Sequence, residues 1–128
     1  MKNEVRTELA PGAIGPYSQG IIYDQFIFTS GQLPLDPITM NFTGSGIREQ
    51  TLQCLKNLEA VLIQAGGSLN TVLKTTCFIT DMDDFLEFNE IYQTFFCYGI
   101  SPARSCIQVA GLPKGAKIEI EAVAYCEK

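Results

Sequence analysis

Histidine is absent from this 128-residue chain, and its absence removes more chemistry than any other feature. A Ser-His-Asp or Cys-His nucleophile system cannot be assembled within one chain, and the commonest metal ligand is missing. Cysteine offers no substitute. The five cysteines, at 54, 77, 97, 106 and 126, form an odd set without a CxxC pair. No metal site is therefore expected, and the thiols are expected to be reduced, as in a cytoplasmic protein. Cys54, Cys77, Cys97 and Cys126 lie in apolar-rich segments, where cysteine serves as a small hydrophobe. Basic residues are also few: nine Lys and Arg stand against fourteen Asp and Glu, for a formal net charge of −5. They are scattered, which opposes nonspecific nucleic-acid binding, so no nucleic-acid partner is expected. The start, Met1-Lys2-Asn3-Glu4-Val5-Arg6, is polar and no long apolar run follows. Neither a signal peptide nor a membrane span is expected. Acid–base work falls to carboxylates, thiols, tyrosines, lysines or water.

What is present fits one domain, residues 1–128, with 46% hydrophobic residues to fill a core. The most informative stretch runs from Ser101 to Ala124. Arg104 and Cys106 stand two apart in one apolar segment, and Glu119 and Glu121 two apart in the next. On strands, residues of like parity share a face. A hairpin of the two segments would bring a guanidinium, a thiol and a carboxylate together. Such groups are costly to bury unpaired, so the pattern points to a site.

The remaining elements follow from periodicity and turn residues. Residues 11–19, with two prolines and two glycines, read as a loop. Gly20–Tyr23 and Phe26–Gln32 read as strands about Asp24-Gln25, with one more short strand expected at 4–7. Pro34 to Gly46 reads as a loop. Leu55, Leu58, Leu62 and Ala65, extended by Leu52, predict an amphipathic helix over 48–65 that stops at Gly66-Gly67. Thr71–Ile79 reads as a strand. Asp81 and Asp83 are the candidate caps of a second helix over 83–97, with Phe85, Phe88, Tyr92 and Phe95 on its apolar face. Strands over 103–109 and 117–126 complete an α+β order with a mixed sheet. Two helices cover only one face of that sheet. The other face is apolar whichever parity it takes, and self-association is expected to bury it.

These residues carry a resemblance. Ala13-Ile14-Gly15-Pro16-Tyr17-Ser18-Gln19-Gly20, Phe28-Thr29-Ser30-Gly31-Gln32, Glu49-Gln50-Thr51, Ala65-Gly66-Gly67, Val72-Leu73-Lys74-Thr75-Thr76, Asp84-Phe85 and the 102–124 block occur in order. Together they resemble the RidA/YjgF family of reactive-intermediate imine deaminases over essentially the whole chain. The resemblance implies a chorismate mutase-like α+β fold, a homotrimer whose sheets form a central barrel, and active sites between subunits. It also implies hydrolysis of reactive 2-imino and 2-enamino acids, 2-aminoacrylate and 2-iminobutanoate, to 2-oxo acids and ammonia, with no cofactor.

The resemblance assigns roles residue by residue. Arg104 matches the arginine that grips the substrate carboxylate, a bidentate task suited to a guanidinium. Glu119 matches the glutamate that positions the attacking water, with Glu121 as its rival. Tyr17 matches the active-site tyrosine, and Ser30 with Gly31 the strand end lining the pocket. Cys106 is expected to form a pocket wall rather than to act as nucleophile, and Asn89 matches a polar residue near the site. Loop 37–47 departs most from the family pattern. Two other readings stand beside this one: a non-catalytic module binding 2-oxo acids or other small carboxylates, and a ribonuclease, which the acidic charge and missing histidine oppose.

Overall fold

The computed structural model describes residues 1–127; Lys128, the end of the expected domain, lies outside them. Its eight main elements are β1 (Asn3–Val5), β2 (Gly20–Tyr23), β3 (Phe26–Thr29), α1 (Ile47–Gln64), β4 (Val72–Ile79), α2 (Phe85–Phe95), β5 (Ala103–Gln108) and β6 (Ile118–Tyr125). The class is α+β, as expected.

Helix α1 ends as its sequence demands. Gly66 takes a left-handed φ of +92°, and the amides of Gly66 and Gly67 bond back to the carbonyls of Ile63 and Leu62. That pairing satisfies carbonyls the helix itself leaves open, and glycine adopts the required backbone without steric cost. The buried face carries Cys54, Leu55, Leu58, Val61 and Leu62 together with Gln50, Thr51 and Asn57. Leu52 is not on it, being 39% exposed. At 3.6 residues per turn the face centres on Cys54 and Val61, which leaves Leu52 on the opposite flank.

Helix α2 starts later than the aspartates suggested. Asp81 caps a 3-10 turn at Met82–Asp84 by accepting the Asp83 amide, and the helix proper begins at Phe85 with no side-chain cap. Asp83 is thus a donor at a cap, not the cap itself. Phe88 and Tyr92 are buried, and Phe88, Tyr92 and Phe96 stack in succession with ring centroids 5.5 and 4.7 Å apart.

The strands form one six-stranded sheet in the order β1-β2-β3-β6-β4-β5. β4 and β5 are parallel and the other pairs antiparallel, so the sheet is mixed. The expected hairpin of β5 and β6 does not form: β4 lies between them. Two features explain this. α2 supplies the crossover that a parallel β4–β5 pair needs. β6 alternates buried and half-buried residues, suiting a central strand, whereas β5 is exposed at five of six positions, suiting an edge. β3 also stops at Thr29 instead of Gln32; Gln32 then rejoins the sheet alone, through reciprocal bonds with Ile120.

Both helices cover the same face. Cys54 Sγ donates to the Ile118 carbonyl, and the Tyr92 and Thr75 hydroxyls meet at 2.7 Å. The core between them is Ile79, Ile118, Ile120, Ala122 and Ala124 against Leu55, Leu58, Val61, Leu62 and Phe88. The other face presents Phe26, Phe28, Ile107 and Tyr125, all substantially exposed, together with Val123. Of the two parities open in the sequence, Val123 and Tyr125 face outward.

Candidate functional site

Arg104 lies on edge strand β5, level with Thr75 and Ala122 and therefore on the helix-covered face. Its guanidinium carbon sits 4.7 Å from the Tyr92 ring centroid and 5.6 Å from those of Phe85 and Phe88. Nη1 donates to Asn89 Oδ1 at 2.7 Å. Rings attract the cation with about 0.5–1 kcal/mol each at exposed sites, and Asn89 fixes the rotation. Among the described residues its other N–H donors have no partner, which leaves them to take a carboxylate. Phe85, Phe88, Asn89 and Tyr92 all come from α2, at spacings that put them on one helix flank. A pocket of about 380 Å³ opens here, bordered by Asn89, Tyr92, Phe96, Pro102 and Arg104.

Cys106 shares this face and is level with Cys77. Burial pushes its thiol up from 9.0, and the opposing pull of Arg104 only partly offsets it. The thiol form therefore dominates at neutral pH, which suits a wall and not a nucleophile. Cys77, deeper, is pushed up to about 12, chiefly by burial.

Glu119 lies elsewhere. It is level with Phe78 and Ile107, on the face away from the helices. One intervening strand, β4, and a change of face separate it from Arg104. Its carboxyl rests on Gly31: a Cβ at position 31 would stand 2.6 Å from Glu119 Cδ. A larger residue at 31 would force the Glu119 carboxyl aside, so Gly31 lets the acid rest where it does. Burial raises the Glu119 pKa from 4.5, and Glu121, on the same face, raises it further.

Tyr17 and Gly31 border one pocket of about 230 Å³. Tyr17 is 52% exposed, and its hydroxyl accepts the Ile14 amide at 3.4 Å. Ser30 is turned inward. Its hydroxyl donates to the Ser18 carbonyl and its amide to the Gln19 carbonyl at 2.9 Å. It thus anchors the tyrosine-bearing loop, with its proton spent on Ser18. Gln19, assigned no role from sequence, anchors the other side. It is 4% exposed, accepts the Thr7 amide and donates to the carbonyls of Thr7, Ala10 and Pro11. A buried amide that meets four backbone groups fixes a loop strongly, but in sequence it is one glutamine among several.

The expected residues thus divide into two groups: Arg104, Asn89 and Cys106 on one face, and Tyr17, Ser30, Gly31 and Glu119 at the other. The ring bed beneath Arg104 was legible as an apolar stripe but not as a seat for a cation. Among the described residues no group of three or more Cys, Asp or Glu is arranged to hold a metal ion, and no helix is long and apolar enough to cross a membrane.

Comparison with known proteins covers the same ground. The family model described as endoribonuclease L-PSP matches residues 7–126. A RutC family protein of Sinorhizobium fredii is 50% identical over 96% of this chain and 97% of its own length. The 2-iminobutanoate/2-iminopropanoate deaminase of mouse is 47% identical over 97% of this chain and 91% of its own. Among solved structures, Escherichia coli TdcF with bound serine superposes with a TM-score of 0.94 at 43% identity, covering 98% of this chain and 99% of that one.

Proposed function

The chain belongs to the endoribonuclease L-PSP family, in which YjgF and RidA fall, and from that premise we propose that it is a hydrolase of reactive 2-imino acids. Enamines such as 2-aminoacrylate enter as their imine tautomers. Water adds to the imine carbon, the nitrogen takes up a proton, and the carbinolamine loses ammonia to leave a 2-oxo acid. The relatives named as deaminases of 2-iminobutanoate and 2-iminopropanoate support this substrate class.

The observation that carries the reading is the seating of Arg104. Three rings and Asn89 hold its guanidinium in place while donors remain free for a substrate carboxylate. Preorganisation of this kind lowers the cost of binding. Glu119 supplies the second requirement. Its raised pKa brings it nearer the range in which a carboxyl group both accepts a proton from water and returns one to the leaving nitrogen. Tyr17 closes the pocket, Gly31 makes room for the acid, Cys106 walls the carboxylate end and Asn89 orients the arginine. No cofactor enters these steps.

One chain does not complete the site, because Arg104 and Glu119 leave opposite faces of the sheet. A second copy bringing its Glu119 half to this Arg104 half does. The exposed apolar sheet face supports the same assembly, a homotrimer of chorismate mutase-like subunits whose sheets enclose a barrel. The five free cysteines suit a cytoplasmic setting. Cleavage of RNA, despite the family description, finds little support in a chain of net charge −5 without histidine.

The test is a coupled assay. An amino-acid oxidase or threonine dehydratase generates the imine, semicarbazide traps it, and the protein competes with the trap. Wild type is expected to lower the trapped signal and Arg104→Ala to lose roughly tenfold to a hundredfold of that effect, the worth of one charge-assisted bond. Binding of 2-oxobutanoate with no imine hydrolysis would replace the enzyme reading with that of a small-carboxylate binding module.

A further inference from the structure

Loop 37–47 is built with unusual care and places Met40 on the wall of the Tyr17–Gly31 pocket. Asp36 Oδ1 accepts the amides of Ile38 and Thr39 at 2.8 and 2.9 Å, and the Asp36 carbonyl accepts that of Met40 at 2.9 Å. Behind the loop, buried Asn57 donates from Nδ2 to the carbonyls of Leu33 and Leu35, both at 2.9 Å. This scaffold holds Met40 at a φ of +61°, and across the pocket Lys114 stands at +60°. Non-glycine residues keep that conformation only where their surroundings fix it, and such positions gather at ligand sites. The two meet where Lys114 Nζ donates to the Met40 carbonyl at 3.5 Å.

The space they enclose is about 230 Å³. At roughly 30 Å³ per water it exceeds what the methyl or ethyl group of the small imines would fill by several fold. Its walls include Leu33, Leu35, Met40 and Pro113, and it borders Tyr17 and Gly31. Gly31 in turn lies against the Glu119 carboxyl. An imine carbon held at Glu119 would therefore reach this space past Gly31.

We propose that the pocket receives the substrate side chain, with Met40 as a specificity-determining residue, so that the enzyme favours 2-imino acids bearing apolar chains longer than ethyl. The proposal rests on the imine-hydrolysis reading and adds the selectivity of its site. Gln19, Gln32 and Lys114 also line the pocket, but their polar groups are engaged with backbone: Gln19 with the carbonyls of Thr7, Ala10 and Pro11, Gln32 with that of Ser30 and Lys114 with that of Met40. A polar substrate chain would have to displace one of these bonds, and is disfavoured by desolvation.

The experiment is a chain-length series. Imines of three to six carbons are generated by an amino-acid oxidase from alanine, 2-aminobutyrate, norvaline and norleucine, and kcat/KM is read for each. The matching 2-oxo acids are titrated calorimetrically. Each added methylene is expected to raise kcat/KM and affinity by up to about fourfold. In Met40→Trp, which fills the space, the six-carbon to three-carbon ratio is expected to fall at least about tenfold, the loss of two buried methylenes. A flat or falling series in both measurements, or an equal loss for every length in Met40→Trp, overturns the proposal. Rising 2-oxo acid affinity without any imine turnover retains the pocket and removes the hydrolysis reading instead.

Discussion

Glu119 bears the sharpest residue-scale expectation. Its pKa is raised by burial first and by Glu121 second. In the proposed role of base it works ionised, so activity is expected to rise with pH along a limb placed above the ordinary carboxylate value. Glu121→Gln removes a like charge and is expected to move that limb to lower pH. Glu119→Gln is expected to abolish the limb and about 10²–10⁴-fold of the rate. Stability runs the other way. A carboxyl whose folded pKa exceeds its unfolded one contributes stability at low pH, and the contribution is lost as pH rises through the folded pKa. Glu119→Gln is therefore expected to unfold at no lower a denaturant concentration than wild type at pH 7. A pH–rate series and paired urea titrations check both signs. Cys106→Ser, by contrast, is expected to keep kcat within about tenfold, since burial holds the thiol protonated; an inactive variant would restore a nucleophile's role.

Helix α1 shows how elements differ from the sum of their letters. Leu52 and Leu58 look alike in the sequence, yet Leu58 is fully buried and Leu52 is 39% exposed. Leu58→Ala is expected to cost about 2–5 kcal/mol, and Leu52→Ala within about 0.5 kcal/mol, read by urea denaturation at one protein concentration. The helix existed in the apolar spacing, and its stop in Gly66-Gly67. Its exact face did not, because three of its buried residues, Gln50, Thr51 and Asn57, are polar. Asn57 and Gln50 are buried to hold distant loops: Gln50 Oε1 accepts the Lys117 amide and its Nε2 donates to the Gly44 carbonyl. Hydrophobic periodicity carries no trace of such partners. The mistaken β5–β6 hairpin has the same origin, since adjacency in sequence favours it and only the pairing of β4 with both strands forbids it.

At the scale of the whole molecule the exposed sheet face and the divided site make one expectation. Phe28, 46% exposed and level with Val123, lies on that face. Phe28→Asp places a charge where a second copy would pack, and is expected to yield monomers by light scattering, with the sheet signal retained and activity lost. Mixing offers the complementary test. Arg104→Ala and Glu119→Gln chains are each expected to be strongly impaired, but refolded together in equal amounts they are expected to regain about a quarter of wild-type sites, those in which both intact halves meet across an interface. No recovery, with mixed oligomers present, would place both residues in one chain's site.

The sequence by itself determined the element types, the α+β class, the family and the residues that could carry acid–base and carboxylate chemistry. Those follow from local spacing, turn residues and the few groups that bear charge in apolar segments. Only the tertiary structure decided which strand is central, which face each residue takes, and which rings lie beneath Arg104. Strand order turns on pairing between segments far apart in the chain, and one strand inserted between β5 and β6, with a change of face, parts an arginine from a glutamate that their spacing had seemed to join.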